Sequence, residues 1–300
     1  MADQEIYNND PAVERDMLFA LHEVGPDRYR AEPIPSRLLR LYGGQVVAQA
    51  VAAIQKTAPA DRSINSCHAY FVRPGSIDRP IDFIVSRDRD GQSFSARRVS
   101  VEQDGQIILT MAASLHVHED GPGHQFPMPD VPGPEGLRSM SDYIAEVGDY
   151  LTQKHWPFWR RKHLFDWRPV EPFRIFNDAP VSSVRHVWFR FEGTLGGDPA
   201  EHQRFFAYVS DLHILHAGLL PLGVGWADEH LQTASLDHAI WFHDRFRVDE
   251  WLLYSLDSPA AAGARTLGRG VVHTADGRLV ASVAQEGLIR ILETPRGDTL

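Results

Sequence analysis

A chain of 300 residues, enough for roughly two domains of ~150, carries 30 Lys and Arg against 40 Asp and Glu, a net charge of −10 at pH 7. That balance excludes a general nucleic-acid binder, which needs a basic face to displace counterions, and 43% hydrophobic with 23% charged residues excludes a disordered chain. One cysteine, Cys67, allows neither an internal disulfide nor a cysteine zinc site, and no apolar run approaches the ~18–20 residues of a membrane span. The start, MADQEIYNNDPAVERDM, is too acidic and polar for a signal or transit peptide, so a cytoplasmic protein is expected.

In chain order, residues 1–120 read as one regular unit. Within it LYGGQVVAQAVAAI (41–54) is apolar nearly all round, the mark of a buried helix. SFSARRVSVEQDGQIILTMAASLHV (93–117) alternates on both sides of Asp104-Gly105, a hairpin signal. Residues 121–180 open with GPGHQFPMPDVPGPEG, whose prolines forbid a continuous helix or a central strand, and read as a linker. The aromatics that follow, Trp156, Phe158, Trp159, Phe165 and Trp167, are too dense for a free linker and predict packing on a sheet. Residues 181–300 repeat the first pattern: AYVSDLHILHAGLL (207–220) matches the helix, with Gln45 opposite Asp211. A second hairpin turns at Asp276-Gly277, which sets Arg97 on Arg269 and Ala113 on Gln285. A buried helix in a unit otherwise made of antiparallel strands implies a curved sheet wrapped around it. The chain therefore reads as α+β, a helix wrapped by a curved antiparallel sheet, twice over.

Seven blocks make the likeness specific: GGQVVAQA (43–50), HAYFVRPG (68–75), DGQSFSARRV (90–99), YVSDLHIL (208–215), LDHAIWFH (236–243), EWLLYS (250–255) and AQEGLIR (284–290). In this order they resemble the type II acyl-CoA thioesterases, double-hotdog enzymes that hydrolyse acyl-CoA to fatty acid and CoA. The resemblance implies no cofactor, acyl-CoA as partner, and a water oriented by Asp211, Ser235 and Gln285; bacterial members often carry Thr where this chain has Ser235. The first half, with Gln45 and Ala113 at the matching places, lacks the acid/base pair.

Gly43-Gly44 could offer helix N-terminal N–H groups to the thioester oxygen, or simply permit tight packing. Gly44, Gln45, His68 and Arg97 are the candidates for substrate contact. His68 would lie near the acyl site or in the core. Arg97 and Arg98 face opposite ways, so only one of them would reach a CoA phosphate. Ser235, Asp237 and His238 resemble a serine-hydrolase triad, but strand alternation would turn Ser235 and His238 apart. His116, His118, Glu119 and Asp120 lack the framing of a zinc motif, and no metal is expected. Two rivals are kept: a hotdog enoyl-CoA hydratase using Asp211 with His213 or His216, and a non-catalytic acyl-CoA-binding module. Exposed sheet edges predict a homo-oligomer, dimer or tetramer. The terminal RGDTL is not a peroxisomal Ser-Lys-Leu address, again consistent with the cytoplasm.

Overall fold

Every residue from Val46 to Ile54 is buried, and the stretch forms a helix with no solvent face. It belongs to a computed structural model that describes residues 11–34, 40–147, 163–176 and 179–294. The helices in those residues are α1 (Pro11–Leu18), α2 (Gly43–Lys56), α3 (Met140–Val147), α4 (Pro199–Val209) and α5 (His216–Leu219), the last continuing into a 3-10 turn at Leu220–Leu222. The first half contributes β1 (Leu21–Gly25), β2 (Arg28–Ala31), β3 (Arg62–Phe71), β4 (Ile81–Asp90), β5 (Phe94–Gln103) and β6 (Gln106–Val117). The second contributes β7 (Phe165–Pro169), β8 (Arg185–Phe191), β9 (Leu231–Ser235), β10 (Asp237–Phe242), β11 (Leu252–Ala262), β12 (Arg265–Thr274) and β13 (Leu279–Ile291).

The strands form one antiparallel sheet in the order β1-β2-β4-β5-β6-β3-β10-β13-β12-β11-β8-β7, with β9 also beside β13. The two halves join where β3 pairs β10, Ala69 opposite His238 and Cys67 opposite Ile240. Their inner faces close on α2 and α4, which run antiparallel. The Gly44 N–H reaches Asp211 just beyond the end of α4, while Gln55 at the far end of α2 donates to the Ala200 carbonyl. This is the double hotdog, a large curved sheet around two central helices.

Three details depart from the sequence reading. The helix of the second half lies earlier than the match to 207–220 implied. Asp198 caps it, its Oδ1 accepting from Ala200 N at 3.0 Å, and Pro199 follows at the first helical position. It stops at Val209, so Asp211 sits past a helix end, whereas Gln45 lies in the first turn of α2. The two are not equivalent.

The hairpins also differ. Asp104 and Gly105, at φ 49° and 71°, make a two-residue turn. Thr274 and Arg278 instead enclose three residues, with only Gly277 (φ 89°) left-handed. The extra residue slips β12 by one against β5, so the burial patterns set Arg97 on Gly268 and not on the outward-facing Arg269.

Finally, the stretch read as linker supplies a strand. Residues 118–139 carry neither helix nor strand and lie against the second half, where Gln125 brackets the Gly277 turn and the Pro132 carbonyl accepts from the Trp188 indole. Phe165 and Trp167 then alternate inward in β7, which pairs β8 at the edge. Trp156, Phe158 and Trp159 fall outside the described residues.

Candidate active site

The site forms where the N-terminus of α2 meets the end of α4. Tyr42, at the N-cap of α2, makes no side-chain capping bond. Asp211 takes that role across the halves, its Oδ2 accepting from Gly44 N at 2.8 Å, a placement the positive end of a helix dipole favours. The approach depends on glycine. A Cβ on Gly44 would fall 2.2 Å from the Tyr208 carbonyl oxygen, and one on Gly43 would fall 2.8 Å from Asp211 Oδ2. The Tyr42 hydroxyl donates to the same Tyr208 carbonyl at 2.8 Å and ties the helices together there. After Asp211 the chain turns through His213 in the left-handed region (φ 67°), uncommon for a residue with a side chain.

Gln285, fully buried on β13, organises the rest. Its Nε2 donates to Asp211 Oδ1 and to Ser235 Oγ, both at 2.8 Å, and its Oε1 accepts from His238 Nδ1 at 2.5 Å. With the carboxylate as acceptor, the amide nitrogen faces Asp211 and the amide oxygen faces His238. The three residues carried over from the resemblance thus come together.

Ser235 and His238 both face Gln285, against the alternation argument. β9 pairs β13 with Ser235 opposite Gly287, and β10 resumes with Ala239 opposite Ala284, so one extra residue sits between them. Such a bulge reverses the parity of the faces and re-aims side chains. No Ser235–His238 hydrogen bond forms among the described residues; the Gln285 amide, which cannot serve as a base, stands between them.

Sequence reasoning misses Ser210, and it names His238 only in the triad-like arrangement with Ser235 and Asp237 that strand alternation argues against. His238 is buried, and its Nε2 lies 2.9 Å from the Ser210 hydroxyl. Burial holds the imidazole below its ordinary pKa, with Asp211 pulling the other way. The dipeptide His-Ala occurs in both HAYF and HAIWFH, but His68 pairs with Ala239 and His238 with Ala69. That one-residue stagger points the two histidines to opposite faces.

The remaining candidates separate. Gly44 gives its N–H to Asp211 and so offers no free donor to a thioester oxygen. Gln45 is half-buried beside it in the first turn of α2. His68 is exposed on the outer face of the sheet, edge-on to Trp241 at 4.9 Å, neither in the core nor at the site. Arg97 lies at the other end of α2, roughly 20 Å away by the helix rise. All five of its N–H groups are engaged: Nε on Thr57 Oγ1, Nη1 on the Arg89 and Ala96 carbonyls, and Nη2 on the Thr57 carbonyl and Asp90. It closes the C-terminus of α2 and has nothing left for a phosphate. Arg97→Met is expected to cost about 3 kcal/mol, because it orphans buried carbonyls. A lower melting temperature with an unchanged KM for acyl-CoA would show this, whereas a raised KM at unchanged stability would contradict it.

His213 packs edge-on to Trp167 and Phe173 at 4.7 and 5.8 Å. His216 Nε2 is 3.1 Å from the Arg174 carbonyl, to which it donates. Burial lowers them to about 3 and about 4, so both are neutral at pH 7, and among the described residues neither bonds Asp211. In the first half Cys67 and Ala113, both buried, occupy the places of His238 and Gln285. Burial pushes the Cys67 thiol up to about 12, far from a thiolate at neutral pH. His116 pairs with Glu119 at 2.9 Å and stacks on Phe94. Among the described residues no helix is long and apolar enough to cross a membrane.

Comparison with known proteins gives a consistent set of matches. A family model described as "Acyl-CoA thioesterase" matches residues 159–288, and one described as "Acyl-CoA thioesterase N-terminal domain" matches 31–116. Acyl-CoA thioesterase 2 of Haemophilus influenzae is 34% identical over 276 residues, 92% of this chain and 96% of the relative. Human acyl-coenzyme A thioesterase 8 is 38% identical over 261 residues, 84% and 81% of the two chains. Among solved structures, an acyl-CoA thioesterase II from Mycobacterium marinum superposes with a TM-score of 0.75 at 36% identity, covering 94% of this chain and 99% of that one. A hot dog protein from Alicyclobacillus acidocaldarius, at 16% identity and TM-score 0.74 over 92% and 97% of the two chains, shares the fold.

Proposed function

The chain belongs to the acyl-CoA thioesterase family, and on that premise we propose that it hydrolyses acyl-CoA to fatty acid and free CoA with a water activated by Asp211, Ser235 and Gln285. The observation that carries this reading is the convergence of Asp211 Oδ1 and Ser235 Oγ on the two N–H groups of one amide, each at 2.8 Å. Sulfur gives its carbonyl little resonance, and a thiolate leaves readily, so the attacking water needs direction and a proton acceptor more than it needs a covalent nucleophile.

Asp211 is held at both oxygens, by Gln285 and by Gly44 N, and each oxygen keeps a lone pair for the water. Ser235 accepts from Gln285, which leaves its own proton free to direct the water. As the water oxygen bonds to the carbonyl carbon, its proton passes to Asp211. Collapse of the tetrahedral intermediate breaks the C–S bond, and the proton leaves on the CoA sulfur. On this reading Gln45, next to Gly44 in the first turn of α2, faces the thioester end of the substrate. His213 and His216, the partners a hydratase would need, are turned to aromatic rings and to a backbone carbonyl, which favours hydrolysis over hydration.

The test is release of free thiol from acyl-CoAs of C4 to C18, run beside hydration of a trans-2-enoyl-CoA. Thiol release from at least one chain length is expected. Hydration without thiol release would replace this reading by the hydratase, and binding without either reaction would replace it by the acyl-CoA-binding module.

A further inference from the structure

We propose that His238 is a positioning residue for Gln285: its Nδ1–H, acting with the Asp211 carboxylate at the other end of the amide, holds the amide nitrogen toward Asp211 and Ser235, and the Ser210 hydroxyl holds the ring in the tautomer that does so. The proposal rests on the Asp211–Ser235–Gln285 reading above.

The two ends of a glutamine amide have nearly the same shape, so packing cannot choose between them; only hydrogen bonds can. As found, each amide hydrogen of Gln285 meets an acceptor and Oε1 meets His238 Nδ1 at 2.5 Å. Rotated by half a turn, Oε1 would confront the Asp211 carboxylate, acceptor against acceptor, and the water-binding pair would be disrupted. A proton on Nδ1 forbids that state, because the amide hydrogens would then meet another donor.

What keeps the proton on Nδ1 is the other side of the ring. A buried neutral imidazole has one donor and one acceptor, and Nε2 accepts from Ser210 Oγ at 2.9 Å. The hydroxyl also lies within donating distance of the Ala207 carbonyl, at 3.3 Å, and the shorter contact to Nε2 is the one that sets the tautomer. Ser210 is in turn pinned through its carbonyl by the Tyr254 hydroxyl at 3.1 Å. Since Ser210 precedes Asp211 in the chain, the bonds close a ring: Ser210 to His238, His238 to Gln285, Gln285 to Asp211, and back along the backbone. No member can shift without moving the carboxylate.

The experiment compares kcat and KM on one acyl-CoA for His238→Leu, His238→Asn and His238→Gln, with Asp211→Asn alongside. Leu removes both bonds, and kcat is expected to fall about 10²-fold, the scale of losing a positioned catalytic geometry, with KM changing less than about threefold. The Asn amide nitrogen can occupy the place of Nδ1 and should recover at least about tenfold of that loss. The Gln amide reaches the Nε2 position and leaves no donor for Gln285, so it should stay impaired. The Asn–Gln contrast holds even should the Leu variant fail to fold, since both keep a polar side chain. A folded Leu variant at wild-type kcat, or Gln performing as well as Asn, would overturn the proposal while an inactive Asp211→Asn left the site reading standing. A fully active Asp211→Asn would sink the site reading first, and this proposal with it.

Discussion

Replacing Asp211 by Asn is expected to lower kcat for thiol release by at least ~10²-fold in a protein that still folds, the usual scale for removing a general base. The substitution is close to isosteric, so the surroundings of the side chain are kept. Its chemistry is not. The carboxylate accepts on both oxygens, from Gly44 N and from Gln285 Nε2 at 2.8 Å each. An amide has one oxygen, and its nitrogen must face one of those two donors, N–H against N–H. The variant therefore loses the proton acceptor and also loosens either the start of α2 or the hold on Gln285. Thiol release across the acyl-CoA panel, with a thermal melt to establish folding, measures both. A folded variant within threefold of wild type would remove Asp211 from the chemistry.

Gly44→Ala is expected to be nearly as damaging, although the residue has no side chain to contribute. The new Cβ would sit 2.2 Å from the Tyr208 carbonyl oxygen and 2.6 Å from the Tyr42 ring. The first of these is backbone at the end of α4 and cannot swing aside, so α2 must move by about 1 Å to reach ordinary contact. Overpacking of this kind costs about 2–3 kcal/mol. The same movement stretches the Gly44–Asp211 bond, and a displacement of about 1 Å at a catalytic group can reduce turnover about 10²-fold. Gly43→Ala separates stability from turnover: the closest atom its Cβ meets, at 2.8 Å, is the side-chain oxygen of Asp211 and not backbone, so it should spare the melting temperature more than Gly44→Ala while still disturbing the carboxylate. A Gly44→Ala enzyme with wild-type melting temperature and kcat would show that the close approach is dispensable.

The parts of the site legible in the sequence are those whose identity alone carries information. Asp211 and Gln285 stand in blocks that mark the family, and the structure brings them within hydrogen-bonding distance. Facing was less legible. His68 and His238 share a His-Ala dipeptide and end on opposite faces of the sheet; Ser235 and His238, which should part by alternation, both turn inward across a bulge. Each outcome is set by one residue of stagger between strands distant in sequence, which no local pattern records.

The sequence by itself determined the repeated plan, a helix and an alternating hairpin around an Asp-Gly turn in each half, with no counterpart of Asp211 and Gln285 in the first; it did not place the second helix, which begins at Pro199. Hydrophobic periodicity and turn chemistry are local properties, so they survive reading along the chain. Only the tertiary structure decided where function lies on that plan. It assigned Arg97 to the far end of α2, where Thr57, Arg89, Ala96 and Asp90 take all its N–H groups, and it gave the Gly44 N–H to Asp211 and not to a substrate. It also linked Ser210, His238 and Gln285 into one hydrogen-bonded series. These features depend on which atoms of separate segments come within about 3 Å of each other, the range of a hydrogen bond, and that distance is fixed by packing between parts of the chain far apart in sequence.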